Sequence, residues 1–219
     1  MTEQLGTIGV LGGTGPQGRG LASRFSRAGL DVVVGSRNAA RAVEVASGLA
    51  AGDGAVRGTS NADCAAVADI VVVAVPYAGH GPLLSSLSDA LAGKVVVDCV
   101  NPLGFDKQGA FALQVPEGSA AEQAQHLLPG SSVVAAFHHV SAVLLEDASV
   151  DHIDTDVLVL GDDRAATDLV ERLASMIPGM RGVYAGRLRN AHQVEAMTAN
   201  LISVNRRYKA HAGLRVTDI

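Results

Sequence analysis

Short apolar runs, most of them valine-rich and without polar alternation, recur along this 219-residue chain, with helix-patterned stretches between them. Runs of that kind suit strands covered on both faces, and their alternation with helices predicts βαβ units. Strands are predicted at residues 7–11, 31–35, 56–59, 70–75, 95–98, 133–137 and 157–160, with a weaker one at 181–184. Helices are predicted at 17–28, 39–51, 82–91, 119–128 and 163–176, and again from 187 to about 211. The Gly-rich, polar segment 102–116 is the longest predicted loop. The expectation is an α/β fold with a doubly wound, mostly parallel sheet over residues 1–184 and a small C-terminal helical segment over 185–219.

The first predicted strand runs directly into Gly12-Gly13-Thr14-Gly15-Pro16-Gln17-Gly18, with G-x-G-x-x-G on Gly13, Gly15 and Gly18. A bare match is weak, but strand before and helix after are the context a dinucleotide turn requires. The first glycine permits the tight turn, the second lets a diphosphate reach the backbone, and the third lets helix and strand pack closely. Unpaired N–H groups and the helix dipole then meet the anion, and Pro16 at the helix start forfeits no bond. The turn makes the sheet Rossmann-type.

The second strand ends Gly35-Ser36-Arg37, and Arg37 lies 19 residues past Gly18. An NAD site places an acid there, for the ribose hydroxyls. Ser36 instead offers a hydroxyl and Arg37 a planar fork suited to phosphate, with Arg41 four residues on along the next helix. Arginine at a helix start opposes the dipole unless an anion compensates. The pattern predicts NADP(H), held through its 2′-phosphate.

Ligands of such sheets lie beyond the carboxyl ends of the strands, where strand order reverses. Val75, Pro76 and Tyr77 follow the fourth strand, and Asn101-Pro102 follow the fifth, so both segments are placed along the nicotinamide path.

Hydrophobic residues make up 48% of the chain and charged ones 18%, which supports a sizeable core. No apolar run reaches membrane-spanning length, and the opening Met1-Thr2-Glu3-Gln4 lacks signal-peptide character, so a soluble, cytoplasmic protein is expected. A net charge of −5 argues against nucleic-acid binding. Residues 181–219 nonetheless carry seven basic residues against two acidic ones, read either as a solvated helix or as a docking face for a small anion. Cys64 and Cys99 form neither a disulfide framework nor a zinc spacing.

The segments Leu11–Gly15, Val34–Arg37 and Ala74–Tyr77 together resemble the NADPH-dependent reductases of coenzyme F420. The likeness extends to Ala135-Ala136-Phe137-His138, Gly161-Asp162-Asp163, and Ala185-Gly186 leading into the helix with Glu195 and Thr198. It implies NADP contacts at Thr14, Gly15, Pro16, Gln17, Ser36, Arg37 and Arg41, and nicotinamide-side contacts at Val75, Asn101 and Ala142. It implies further that the deazaflavin sits against His138, Val140, Ser141 and Thr198, with 185–219 completing its pocket. The chain departs from the family pattern at His139, Val140 and Ser141, where a Thr-Ile-Pro run is usual.

Hydride transfer between two rings needs alignment rather than a protein nucleophile, metal or triad, because the coenzymes carry the chemistry. No catalytic residue and no metal site is expected. His138 and His139 are adjacent on a strand pattern and point to opposite faces, so they do not share a metal. His192 and Glu195 read as an ordinary polar pair, Cys99 as a buried filler, and Met197 with Leu201 as core or dimer packing. The expected function is exchange of a hydride between NADP(H) and F420 by a homodimer. Two alternatives stay open: a reductase of a flavin, imine or small carbonyl compound, and a non-catalytic NADP(H) sensor.

Overall fold

The computed structural model describes residues 5–49 and 54–219. Residues 1–4, read above for a leader, and Ala50 and Ala51, the predicted end of a helix, lie outside the described residues. The sheet has eight strands. They are β1 (Ile8–Leu11), β2 (Val32–Ser36), β3 (Val56–Ser60), β4 (Ile70–Val73), β5 (Val95–Asp98), β8 (Ser132–Ala135), β9 (Thr155–Gly161) and β10 (Met180–Gly186). Their order is β10-β9-β8-β5-β4-β1-β2-β3. From β3 to β8 all neighbours are parallel, whereas β9 pairs antiparallel with β8 and parallel with β10. Strand order reverses between β1 and β4, so their carboxyl ends open the crevice where such sheets bind ligands.

The valine runs are buried on both faces, as their lack of alternation predicts. In β2, Val32 and Val34 join Leu21 and Phe25 of α1 (Pro16–Arg27) on one side of the sheet. Val33 joins Cys64 and Ala65 of α3 (Asn61–Val67) on the other. Each such valine contributes about 1.5–3 kcal/mol relative to an exposed one. The remaining helices are α2 (Ala39–Gly48), α4 (Tyr77–Leu91), α5 (Ala120–Leu127), α6 (Ala142–Glu146), α7 (Arg164–Ser175) and α8 (Ala191–Tyr208). A 3-10 turn, Leu188–Asn190, leads into α8, and Leu188, Ala191 and Val194 seat this C-terminal unit on the core.

The structure corrects several expectations. Segment 102–116 is not a plain loop, since it contains the antiparallel hairpin β6 (Leu103–Asp106) and β7 (Gly109–Ala112). Asp106 Oδ1 accepts from the amides of Gln108 and Gly109, and Gly109 takes φ +128°, which together close the two-residue turn. The short helices α3 and α6 were not foreseen. α4 starts at Tyr77 rather than at Pro82, which lies inside it. Because Ala78 is exposed, water can satisfy the carbonyl left without the proline's amide. The strands predicted to reach residues 75 and 137 stop at Val73 and Ala135, where the chain turns into the crevice.

Candidate active site

The glycine turn shows why each glycine is there. Gly12 adopts φ +72°, and a Cβ on it would meet Val75 Cγ1 at 2.6 Å and the Ala74 carbonyl at 2.7 Å. A Cβ on Gly18 would sit 2.7 Å from Gly13 Cα, the close helix–strand packing expected of the third glycine. Gly13 anchors the turn to β2 by donating to the Gly35 carbonyl at 3.0 Å. Gly15 differs: a Cβ there would meet only the Gly12 carbonyl oxygen, at 3.5 Å. Protein packing therefore does not demand glycine at 15. Gly15 is also the N-cap of α1, which has no side-chain cap, no acid in its first turn, and Pro16 at its first position. The amides of Gln17 and Gly18 thus meet no side-chain acceptor, as an anion-binding helix start requires.

Ser36 is buried, 3.5 Å from Thr14 Oγ1, and its oxygen accepts from the Asn38 amide at 3.2 Å. Asn38 caps α2 by accepting from the Arg41 amide at 3.1 Å. Arg37 precedes that cap, is exposed, and has no carboxylate partner among the described residues. Arg41 is also exposed and pairs with Glu44 at 2.7 Å. The mismatch of cation and dipole at Arg41 is therefore compensated inside the helix, and Arg37 is the stronger phosphate candidate.

A cleft of about 270 Å³ gathers Gly15, Pro16, Gln17, Val75, Pro76, Asn101 and His138, which are remote in sequence. Asn101 Nδ2 donates to the His138 carbonyl at 2.8 Å, and Thr198 Oγ1 lies 3.2 Å from that oxygen and 3.4 Å from Asn101 Oδ1. Three predicted residues from three segments thus form one knot. His138 is 3% exposed, and neither ring nitrogen has a partner. Burial pushes its imidazole down to about 4, so the ring is neutral, with a donor and an acceptor to offer the cleft.

Other predicted residues lie at the margins. Gln17 Nε2 donates to the carbonyl of Phe137 at 3.2 Å, so its side chain ties the glycine turn to the His138 loop. Tyr77 turns to the α4 side, with its ring centroid 6.3 Å from that of His80. Val140 is a core side chain. Ser141 faces the C-terminal tail, 3.5 Å from His211 Nδ1, and Ala142 opens α6. His139 bonds the Asp156 carbonyl at 2.7 Å, away from the cleft.

Three of the seven basic residues of the C-terminal segment are in ion pairs. Arg181 and Arg215 are committed to the buried Asp156, and Arg187 pairs with Asp162. The guanidinium groups of Arg181 and Arg215 hold the tail to β9 and β10. His192 and Glu195 are not a pair: His192 is exposed and meets the Arg189 carbonyl, whereas Glu195 is buried.

Sequence reasoning missed four supports. Asn61 Oδ1 accepts from the Gly12 amide at 3.3 Å, following the Ser60–Asp63 cap that signals α3. Arg24, buried in α1, donates to the carbonyls of Leu144, Leu145, Asp147 and Val150 and so fixes α6. Phe137 takes φ +64°, turning its ring to Phe25 and the next residue into the cleft. Finally, His80 Nε2 lies 2.6 Å from Asp98 Oδ2, both fully buried behind Asn101.

Comparison with known proteins places this geometry. Residues 7–102 match the family model described as NADP oxidoreductase, coenzyme F420-dependent. The F420-dependent NADP reductase of Methanothermobacter thermautotrophicus is 40% identical over 221 residues, spanning 97% of this chain and 95% of that protein. Its counterpart in Methanothermobacter marburgensis is 38% identical, spanning 97% and 98%. A crystal structure from Arthrobacter sp. FB24, described as a candidate F420-dependent NADP reductase, superposes with a TM-score of 0.81 at 27% identity, covering 96% of this chain and 99% of that one.

Proposed function

The chain belongs to the coenzyme F420-dependent NADP oxidoreductases, and from that premise we propose that it moves a hydride between NADP(H) and the deazaflavin ring of F420 within the cleft between Gly15 and the Asn101–His138–Thr198 knot. The observation that carries this reading is the cleft itself, which joins a diphosphate-ready helix start to a buried histidine with two unpartnered nitrogens. The coenzymes supply the chemistry, with the hydride passing directly from ring to ring.

The chain's own part is binding and alignment. Gly13, Thr14, Gly15, Pro16, Gln17 and Gly18 shape the diphosphate site, with Gln17 acting through its bond to Phe137. Ser36 and Arg37, with Arg41 behind them, take the 2′-phosphate. Val75, Pro76 and Asn101 line the nicotinamide side, with Tyr77 and Ala142 at its edges. His138 and Thr198 face the deazaflavin, Val140 and Ser141 support that loop, and segment 185–219 completes the pocket beside domain 1–184. No protein nucleophile or metal is assigned a role.

The protein is proposed to work in the cytoplasm as a homodimer. No helix among the described residues is long and apolar enough to cross a membrane. The dimer reading rests on the exposed Phe105, Phe111, Leu113, Val204 and Tyr208, all on or beside the β6–β7 hairpin and α8. A sedimentation mass equal to one chain at all concentrations would reject it.

The deciding experiment mixes the purified protein with NADPH and F420 and follows the deazaflavin absorbance. Bleaching with matching NADPH oxidation supports the reading. Turnover only with flavins, imines or carbonyl compounds, or tight NADPH binding without oxidation, overturns it.

A further inference from the structure

Behind the cleft lies a circuit of buried and half-buried polar contacts that closes on the Asn101–Thr198 contact, and the hydride-transfer reading does not use the rest of it. Asp98 ends β5 with both oxygens engaged: Oδ2 meets His80 Nε2 at 2.6 Å, and Oδ1 accepts from the Val100 amide at 3.0 Å. His80 Nδ1 meets Gln123 Oε1 at 2.9 Å. Gln123 Nε2 already donates to Glu117, which leaves its oxygen for His80, so the imidazole donates from both nitrogens. Gln123 belongs to α5, and the amides at the start of that helix, Ala120 and Ala121, donate to the two oxygens of Glu195 on α8. Thr198, one turn further along α8, reaches Asn101, and Asn101 is three residues past Asp98. The circuit closes on itself through β5, α4, α5 and α8.

His80 and Asp98 are fully buried and Glu195 is 3% exposed. Stability alone does not explain three ionisable groups in such a place, because apolar residues of equal volume often serve as well or better. What the circuit supplies is geometry. The two side chains that grip the His138 carbonyl, from Asn101 and Thr198, are each tethered three residues upstream, one through Asp98 and the other through Glu195.

We propose that the buried His80–Asp98 pair is a positioning element, acting through Asn101 to hold the nicotinamide wall of the cleft in register with the deazaflavin wall on His138 and Thr198. His80 and Asp98 touch neither ring. Their effect reaches the reaction only through the β5 exit and its amide, and the inference rests on the hydride-transfer function proposed above.

A double-mutant cycle on single-turnover hydride transfer tests it, with NADPH and F420 saturating and each rate taken per folded protein. Asp98→Asn alone is expected to slow transfer about tenfold or more, since misplacements of about 1 Å can cost a hundredfold. The NADPH dissociation constant should stay within about twofold, because the diphosphate and 2′-phosphate contacts are untouched. In an Asn101→Ala background the same substitution should cost nothing further, because neighbours acting through one contact are non-additive. His80→Gln run through the same cycle gives the result if Asp98→Asn does not fold. Multiplicative effects for the variants that fold, or lost thermal stability with an unchanged transfer rate, would overturn the proposal. A wild-type protein that does not reduce F420 would instead overturn the functional reading on which it rests.

Discussion

The side-chain amide of Asn101 donates to the main-chain carbonyl of His138 at 2.8 Å, joining the exit of β5 to the loop after β8. The two strands are sheet neighbours; their last main-chain bond runs from the Ala136 amide to the Asp98 carbonyl at 3.0 Å, and beyond it the Asn101 side chain joins their exits. Gln17 makes a comparable bond one residue earlier, to the Phe137 carbonyl. The loop that carries His138 is therefore held from the glycine turn and from the β5 exit at once. The two walls of the cleft share a support.

Replacing Asn101 by Leu keeps its branched shape and removes both polar contacts. The NADPH end should stay anchored by the glycine turn, so kcat is expected to fall about tenfold to a hundredfold while the NADPH dissociation constant changes little. Steady-state rates beside a fluorescence titration separate the two. Equal losses in binding and rate would place Asn101 in ground-state binding instead.

Arg37 is exposed and unpaired with acid among the described residues, so its contribution should appear only when a 2′-phosphate is present. A charge-assisted bond is worth about 1.5–3 kcal/mol, which corresponds to about 10- to 150-fold. Arg37→Ala should raise KM for NADPH by that order and leave KM for NADH nearly unchanged. Arg41→Ala should do less, since Arg41 already pairs with Glu44. Parallel kinetics with the two nucleotides decide the matter.

Much of this fold is legible in sequence because its strands are buried on both faces and read as bare valine runs. The glycine turn and the Ser36-Arg37 pair are legible because short-range geometry dictates them. What resists reading is long-range polar pairing. His80 stands in a glycine-rich helix start and Asp98 at a strand end; each alone looks ordinary, and only the folded sheet brings them to 2.6 Å. Glu195 looks like a helix-surface acid, and its role at the start of α5 depends on a contact 74–75 residues away. The 103–112 hairpin was obscured because its strands are only four residues long, Leu103-Gly104-Phe105-Asp106 and Gly109-Ala110-Phe111-Ala112, too short for an apolar pattern to stand out from the glycines and polar residues around them.

Glu195 makes stability pH-dependent. Burial pushes its carboxyl up from 4.5 to about 7, against the pull of the Ala120 and Ala121 amides; the Asp98 charge raises it further, while His80 opposes. Between those two values the folded protein holds a proton that the unfolded chain has released. The contribution is therefore complete below about 4.5 and is lost as pH rises through 7, a change of order 3 kcal/mol. His80 acts in the same sense above 6.5: burial lowers its imidazole, but the charge and hydrogen bond of Asp98 outweigh that and raise it. His138, held at about 4 by burial, and His139, also lowered, oppose this below 6.5, so thermal melts should show stability falling with pH only above about 6.5, where Glu195→Gln should flatten the slope. An unchanged slope in the variant would remove Glu195 as the cause.

The glycines of the turn should separate stability from binding. At Gly18 a methyl group would press on the backbone of Gly12 and Gly13, at 2.8 and 2.7 Å, and backbone in a packed turn cannot yield cheaply. Gly18→Ala is expected to cost about 1–3 kcal/mol of stability, with cofactor binding lost along with the fold. At Gly15 the same methyl would meet only an oxygen at 3.5 Å, and the backbone, at φ −81°, suits any residue. Gly15→Ala should therefore cost less than about 1 kcal/mol of stability, mostly from a poorer N-cap. It should still weaken NADPH binding about tenfold or more, because the methyl occupies the approach of the diphosphate. Melting curves and NADPH titrations on the two variants form the test. A Gly15→Ala protein that binds NADPH normally would mean that the diphosphate does not cross the start of α1.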